Sequence, residues 1–323
     1  MIISDWDFSK KLVDIDWESA MIGLSGGADS LCLILLLNEY AKKNNKKIYA
    51  GIVDHKLRPE SSIEILPIIE ILKKNDIPYK ILVWDHDKDI GGNIERKARE
   101  ARYDLLYKLC KDMKSDVLMT AHHALDQWET FFMRLSRGSS VKGLSSIKYL
   151  SKYRDIRLLR PLLDFSPYDI RDTLENRFNI KNYVKDPMNE QIEFERVRWR
   201  NSYKDLSNQY HLDIKNINKS IGRIQRANDC LSEISINLSE KIFDGEYIDI
   251  KKFRDLHIEL KIRILDILVS KFSSKHQIIS NSLLEKISDE IIKKDFIATN
   301  FAGVVLRRDR TKNIKIYKEN REG

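Results

Sequence analysis

Cysteine is scarce in this chain. Only Cys32, Cys110 and Cys230 occur in 323 residues, none of them in a Cys-x-x-Cys pair. With no His/Cys cluster beside them, a cysteine zinc site is excluded. Long apolar runs are also missing. None approaches membrane-spanning length, and Met1–Lys11 has no apolar signal core. The expectation is a cytoplasmic protein with no membrane partner. A Gly-x-x-x-x-Gly-Lys-Ser/Thr loop is absent, which excludes a Walker A nucleotide site. No internal repeat is visible. The one biased stretch, Lys42-Lys43-Asn44-Asn45-Lys46-Lys47, reads as a solvated helix end and turn.

What is present is charge. Asp, Glu, Lys and Arg make up 33% of the chain, and 57 Lys+Arg against 49 Asp+Glu leave a net charge of +8. That excess fits a polyanionic partner, and equally a Lys-rich composition with no such meaning. The length suits two domains.

The first half alternates short apolar strands with amphipathic helices. Strands are expected at 20–24, 47–54, 78–84 and 116–120, and helices at 30–42, 62–74, 94–113 and 125–136. This order predicts an α/β fold with a doubly wound, mostly parallel sheet. Ligands then bind beyond the carboxyl ends of the strands. After about Leu206 the pattern changes. One long helix is expected over 215–244, further helices over 247–271 and 280–294, and a pair of strands within 299–317. The expected domains are 1–208 and a smaller, mainly helical 209–323.

Ser25-Gly26-Gly27-Ala28-Asp29-Ser30 joins the first strand to the first long helix. Unpaired N–H groups and a positive helix end suit a phosphate there. Two glycines let the backbone curl around an anion, Ser25 and Ser30 offer hydroxyls, and Asp29 suits Mg²⁺. The plain alternative is a glycine turn with Asp29 or Ser30 as cap.

Other strings fall at the same sheet edge. Asp54-His55 ends the second strand, where Asp54 either meets a nucleoside or caps the strand. Glu95, Arg99 and Arg102 share a helix side, either solvated or facing a cleft, with Asn93 as its N-cap. His122-His123-Ala124-Leu125-Asp126-Gln127-Trp128-Glu129 places Asp126 and Glu129 on one face, able to hold an ammonium ion or Mg²⁺. One of the two histidines could touch a phosphate, and a capping pair plus a buried histidine is the alternative. Arg134 and Arg137 flank a flexible loop and suit phosphates. After an Asp186-Pro187 turn, Arg196, Arg198 and Arg200 alternate with apolar residues and suit RNA, whether extended on one face or spread around a helix.

Together these strings, with Gly143-Leu144 and Arg160-Pro161-Leu162, resemble the tRNA(Ile)-lysidine synthase family of the N-type ATP pyrophosphatases. They run in the family's order over the first two-thirds of the chain. The resemblance implies an N-type ATP pyrophosphatase catalytic domain and a C-terminal tRNA-binding domain. It also implies the reaction: ATP adenylates C2 of the wobble cytidine in the isoleucine tRNA with a CAU anticodon, then free L-lysine displaces AMP. By motif, Ser25, Gly26, Gly27, Ala28, Asp29 and Ser30 would hold ATP, with Asp29 on Mg²⁺. Asp54 and His55 would line the nucleoside site, Arg102, Asp126 and Glu129 would surround lysine, and Arg196, Arg198 and Arg200 would face tRNA. Oligomeric state stays open, a homodimer being one option.

Two positions depart from the family pattern. Leu125 stands where an Asp is usual, and Val197 where an Asn is usual. Rival readings are a related tRNA thiolase, which would need the missing Cys-x-x-Cys pairs, and a non-catalytic tRNA-binding protein on the same fold.

Overall fold

The computed structural model of the chain describes residues 1–56, 61–86, 94–184, 195–273, 279–311 and 313–319. The elements run α1 (Asp5–Ser9), β1 (Ser19–Leu24), α2 (Ala28–Lys43), β2 (Lys47–Asp54), α3 (Ser61–Glu64), α4 (Leu66–Lys74), β3 (Tyr79–Val83), α5 (Ile94–Asp112), β4 (Val117–Met119), α6 (Ala124–Leu135), α7 (Val141–Leu144), β5 (Leu150–Tyr153), β6 (Ile156–Leu159), α8 (Pro167–Asn176), α9 (Glu195–Tyr210) and α10 (Ile214–Ile242). Then follow β7 (Tyr247–Ile248), α11 (Ile250–Arg254), α12 (Ile258–Phe272), α13 (Asn281–Ile291), β8 (Ala298–Phe301), β9 (Val304–Arg308) and β10 (Ile314–Lys318). Contacts divide the chain into two compact units, Met1–Ser139 with Gly143–Gly222, and Ser140–Lys142 with Arg223–Gly323. The division passes through α10 rather than near residue 208.

In the first unit six strands form one sheet in the order β3-β2-β1-β4-β6-β5. All its pairings are parallel except β5 with β6, so the expected mostly parallel sheet is present. β1 lies at the centre and is buried on both faces, as parallel strands covered by helices are. Ala20, Ile22 and Leu24 point into one core with Leu33, Ile34 and Leu37 of α2. Met21 points the other way, toward Leu106, Leu109 and Cys110 of α5. α5 approaches closely because β1 and β2 carry glycine there. A Cβ on Gly23 would lie 2.8 Å from Leu106 Cδ1, and one on Gly51 2.5 Å from its Cδ2. The register pairs Leu24 with Ile52, Asp54 with Val83, and Ile22 with Met119. The carboxyl ends of β1 to β4 therefore stand side by side.

Several expectations need correction. The helix expected over 62–74 is two, α3 and α4, because Pro67 lacks the N–H that would continue α3 and instead opens α4. The helix expected over 247–271 begins as strand β7 and breaks again before α12. Asp249 accepts from the N–H groups of Lys251 and Lys252, and His257 from Glu259 N, and each cap starts a new helix. The expected terminal strand pair is three strands. With β7 they form an antiparallel sheet in the order β7-β10-β9-β8. The second unit is thus helices plus a small sheet around a core that includes Phe253, Leu265, Leu268, Leu306 and Ile316. The β5–β6 hairpin and α8 had no reading in the sequence. Among the described residues no helix is long and apolar enough to cross a membrane.

Candidate active site

The loop after β1 is folded back by its own polar groups. Gly26 has φ +82°, a left-handed conformation that suits glycine. A Cβ there would also fall 2.2 Å from Ile68 Cδ1. Ser25 N donates to Ser30 Oγ at 3.2 Å, and Ser30 Oγ donates to Gly27 O at 3.1 Å. Val184 N donates to Gly26 O at 3.1 Å, holding the loop from outside. Gly27 is the N-cap of α2 and brings no side-chain hydrogen bond. The alternative of an Asp29 or Ser30 cap is therefore not the observed one. The first N–H groups of α2 have no cap side chain on them, the arrangement that suits an anion.

Asp29 sits in the first turn of α2, its side chain 38% exposed. Burial of much of the carboxyl raises its pKa, with His123 opposing. His123 Nε2 lies 3.7 Å from Asp29 Oδ2. His123 is the N-cap of α6 in a reciprocal capping box. Its backbone N donates to Asp126 Oδ2 at 2.8 Å, and its ring Nδ1 accepts from Asp126 N at 3.4 Å. An accepting Nδ1 places the ring proton on Nε2, toward Asp29. One imidazole thus bridges the loop acid and the first α6 acid.

Glu129 follows one turn along α6 and is almost fully buried, its side chain 1% exposed. Arg200 of α9 donates from Nε to Glu129 Oε1 at 2.6 Å. The two acids are pushed apart. Burial would raise Asp126, but His123, whose backbone N–H also donates to the carboxylate, and Arg200 outweigh it and hold this carboxyl below its usual range. Burial raises Glu129, the Asp126 charge adds to that, and Arg200 opposes both. A pair split in this way gives one acid that stays ionised and one that exchanges a proton more readily. His122 donates to or accepts from Thr120 Oγ1 at 3.0 Å, and burial pushes it down to about 3. It is neutral at physiological pH and brings no charge to a phosphate.

Arg102 of α5 pairs with no carboxylate among the described residues, and burial lowers its pKa. Asp54 is 5% exposed and accepts from Lys56 N at 2.9 Å, so it does cap its own strand end. The side chain of Glu95, the cap residue Asn93 and the Asp186-Pro187 turn lie outside the described residues. Arg99 stacks over Tyr103 with its guanidinium 5.4 Å from the ring centroid. Arg134 donates to Gly143 O at 2.7 Å and Ser146 O at 3.3 Å, closing the loop after α6. Arg137 pairs with Glu195. Both arginines thus have protein partners where the sequence suggested phosphates.

The arginine segment is helical, so its charges spread. Arg196 is half-buried, Arg198 is exposed, and Arg200 turns inward to Glu129. Sequence reasoning missed that inward turn, and also missed His123 as a bridge. The only signal was Arg200 lying one helical turn from Arg196, which a helix reading of 195–210 would have used. Val197 is 6% exposed and packs inside.

Leu125 is 8% exposed and belongs to an apolar cluster with Ala124, Trp128 and Ile214, flanked by Phe132, Tyr203 and Leu206. This cluster joins α6 to α9 and the start of α10. Leu125→Asp is therefore expected to bury a carboxylate without a partner and to cost about 3 kcal/mol of stability. Denaturant unfolding at neutral pH would check this, and an unchanged midpoint would remove Leu125 from the core.

Among the described residues no three His, Cys, Asp or Glu side chains gather to hold a metal. Asp29 still fits Mg²⁺, which takes one or two carboxylates and completes its shell with water and substrate phosphates.

Residues 5–205 match the PP-loop domain model. The tRNA(Ile)-lysidine synthase of Wolbachia pipientis wMel is 34% identical over 280 residues, 85% of this chain and 64% of that protein. This chain thus spans about two-thirds of that relative's length. The tRNA(Ile)-lysidine synthase of Rickettsia felis is 30% identical over 305 residues, 92% of this chain and 68% of that protein. Among solved structures, the U34-tRNA thiolase NcsA from Methanococcus maripaludis, with its [4Fe-4S] cluster, has the same fold. The TM-score is 0.57 at 22% identity, covering 70% of this chain and 76% of that one. A matching domain over most of the chain, joined to relatives of this identity and coverage, leads to one assignment: the chain belongs to the PP-loop family and, within it, to the tRNA(Ile)-lysidine synthase family.

Proposed function

We propose that this chain ligates lysine to C2 of the wobble cytidine in the CAU-anticodon isoleucine tRNA, at the expense of ATP. The observation that carries the reading is the convergence at one sheet edge of an uncapped helix start, Asp29 and the split acid pair Asp126–Glu129. Backbone N–H groups of Ser25–Ser30 would bind the ATP phosphates. The cytidine O2 attacks the α-phosphorus; the O2–P bond forms, the bond to the bridging oxygen breaks, and pyrophosphate leaves. Asp29 would hold a Mg²⁺ ion, which when bound would supply positive charge against the leaving pyrophosphate.

Lysine then enters as its ammonium ion. Asp126, which stays ionised, holds the ε-nitrogen, and Glu129 takes a proton from it. The freed amine attacks C2, the C2–O2 bond breaks, and AMP leaves. Arg102, half-buried and with no acid partner among the described residues, suits the lysine carboxylate. Arg200 positions Glu129, which revises its role from tRNA contact. Arg196 and Arg198 keep the tRNA role, with residues 209–323 adding further tRNA surface. The reading carries a cytoplasmic location with it, where tRNA, ATP and lysine meet.

Arg198→Ala is expected to weaken tRNA binding and lower the salt slope by about one. Filter binding across a salt series measures both, and an unchanged slope would take Arg198 off the interface. The reaction itself is tested by labelled lysine incorporation into unmodified isoleucine tRNA with Mg-ATP, against the elongator methionine tRNA. Label in the isoleucine tRNA alone supports the reading. AMP release without label would mean a different nucleophile, and neither product would mean a non-catalytic protein.

A further inference from the structure

Trp128 of α6 is 1% exposed, and no step above uses it. Its ring packs on Phe132 of the same helix, with centroids 4.0 Å apart, and Tyr203 of α9 stands edge-on to it at 5.0 Å and 67°. Trp199 of α9 lies on Phe132 in turn, at 5.5 Å and 31°. The indole is also a donor. Trp128 Nε1 donates to Trp199 O at 2.9 Å, from one helix to the other. That oxygen lies within α9 and accepts from Ser202 Oγ as well, at 2.8 Å. A buried indole N–H needs a partner, and a carbonyl with two lone pairs can take an extra donor.

This bond shares its register with the one that orients the acid pair. Trp128 meets Trp199, and the next residue of each helix, Glu129 and Arg200, makes the other contact. Both bonds join residues 71 apart. A slip of one residue along α9 would break the two together. α9 carries another arginine, Arg196, one turn before Arg200, and its charge is felt at His122 and Arg134. Four residues of helix amount to about 6 Å of travel. Bringing Arg196 to Glu129 would carry Glu195 to the place of Trp199, against Phe132, and would break its pair with Arg137. A carboxylate set on a ring in place of an indole is disfavoured. The rings therefore select the turn of α9, and the indole N–H, being directional, fixes the helix within that turn.

We infer that Trp128 is a positioning residue: its indole sets the register of α9 on α6 and so delivers Arg200 to Glu129. The role of Glu129 as base rests on the lysine-ligating reading above, whereas the register is a property of the free protein. The charged groups acting on Glu129 are Asp126, Arg200 and His123, and of these only Arg200 comes from α9. Arg200 opposes the upward push on that carboxyl, so a displaced α9 leaves Glu129 titrating higher.

The test is a carbon-13 NMR titration of the glutamate carboxyls in the full-length protein without substrates, with Glu129 assigned by the signal missing from Glu129→Gln. Trp128→Phe, which keeps a ring and drops the donor, should raise the Glu129 midpoint by about one pH unit, and Arg200→Gln should raise it as far. The double variant should show no further rise, because both changes act through one contact. Benzothienylalanine at position 128 keeps the bicyclic ring and lacks the N–H; it replaces the phenylalanine variant if that one does not fold. In lysine transfer the low-pH limb should move up with the midpoint. A wild-type midpoint in the folded variant overturns the inference. Additive rises in the double variant also overturn it, since Trp128 would then act apart from Arg200. A raised midpoint with an unmoved transfer limb, or wild-type protein that transfers no lysine, would overturn the functional reading and leave the register assignment standing.

Discussion

Asp29→Ala should abolish pyrophosphate release while leaving tRNA binding in place. Asp29 stands in the first turn of α2, directly beside the loop that suits phosphates, and 3.7 Å from His123. Two effects of the substitution differ greatly in size. Losing an acidic group at a helix start costs about 0.5–1 kcal/mol, too little to unfold a chain of this length. Losing the carboxylate for Mg²⁺ removes stabilisation of charge developing on the departing pyrophosphate, worth on the order of a thousandfold in rate. The arginines proposed for tRNA, Arg196 and Arg198, lie on α9, so tRNA binding should survive. ATP–pyrophosphate exchange in the presence of tRNA, paired with tRNA filter binding, separates the two. Exchange at the wild-type rate would end the metal role of Asp29. Loss of tRNA binding in step with exchange would indicate a damaged fold.

Glu129→Gln is the second large effect, and it should fall on the other half-reaction. The amide keeps the shape and can still accept from Arg200, but it takes no proton. Adenylation should continue, so AMP–tRNA intermediate builds up while lysine transfer drops about a hundredfold or more. Burial and the Asp126 charge raise the Glu129 pKa. A base must be ionised to act, so wild-type transfer should fall as pH drops through that raised value. The Gln variant should lack this limb. Stability follows the opposite sign. A carboxyl whose folded value lies above its ordinary 4.5 favours the fold at low pH, and that contribution is lost as pH rises. A single-turnover chase with labelled lysine across pH measures the rate limb. Equal transfer by wild type and Gln variant would remove Glu129 as the base and leave Asp126 as the candidate.

Leu125 and Arg200 show how far sequence reading goes. Leu125 looked like a lost acid, because its neighbours in the chain belong to the site. On α6 its side chain points to Trp128 and Ile214 instead, so the change is a change of core. Arg200 looked like one of three equivalent arginines. Only the packing of α9 on α6 turns it to Glu129, and that contact is between residues 71 apart in sequence. Alternation of Arg with apolar residues carries no information about such a partner.

Local chemistry determined a good deal by itself. β1 to β4 and the helices between them follow from apolar periodicity, and Gly26 follows from a turn that needs positive φ. The co-location of Ser25–Ser30, Asp54-His55 and Asp126–Glu129 also follows, because a parallel sheet puts every strand's carboxyl end on one edge. Tertiary structure alone decided which carboxylate stays ionised, which arginine is a partner within the site, and where the chain after Tyr247 turns into strands. The physical reason is the same in each case. Periodicity and caps act over a few residues, whereas burial, pKa and antiparallel pairing depend on groups that only the folded chain brings within reach.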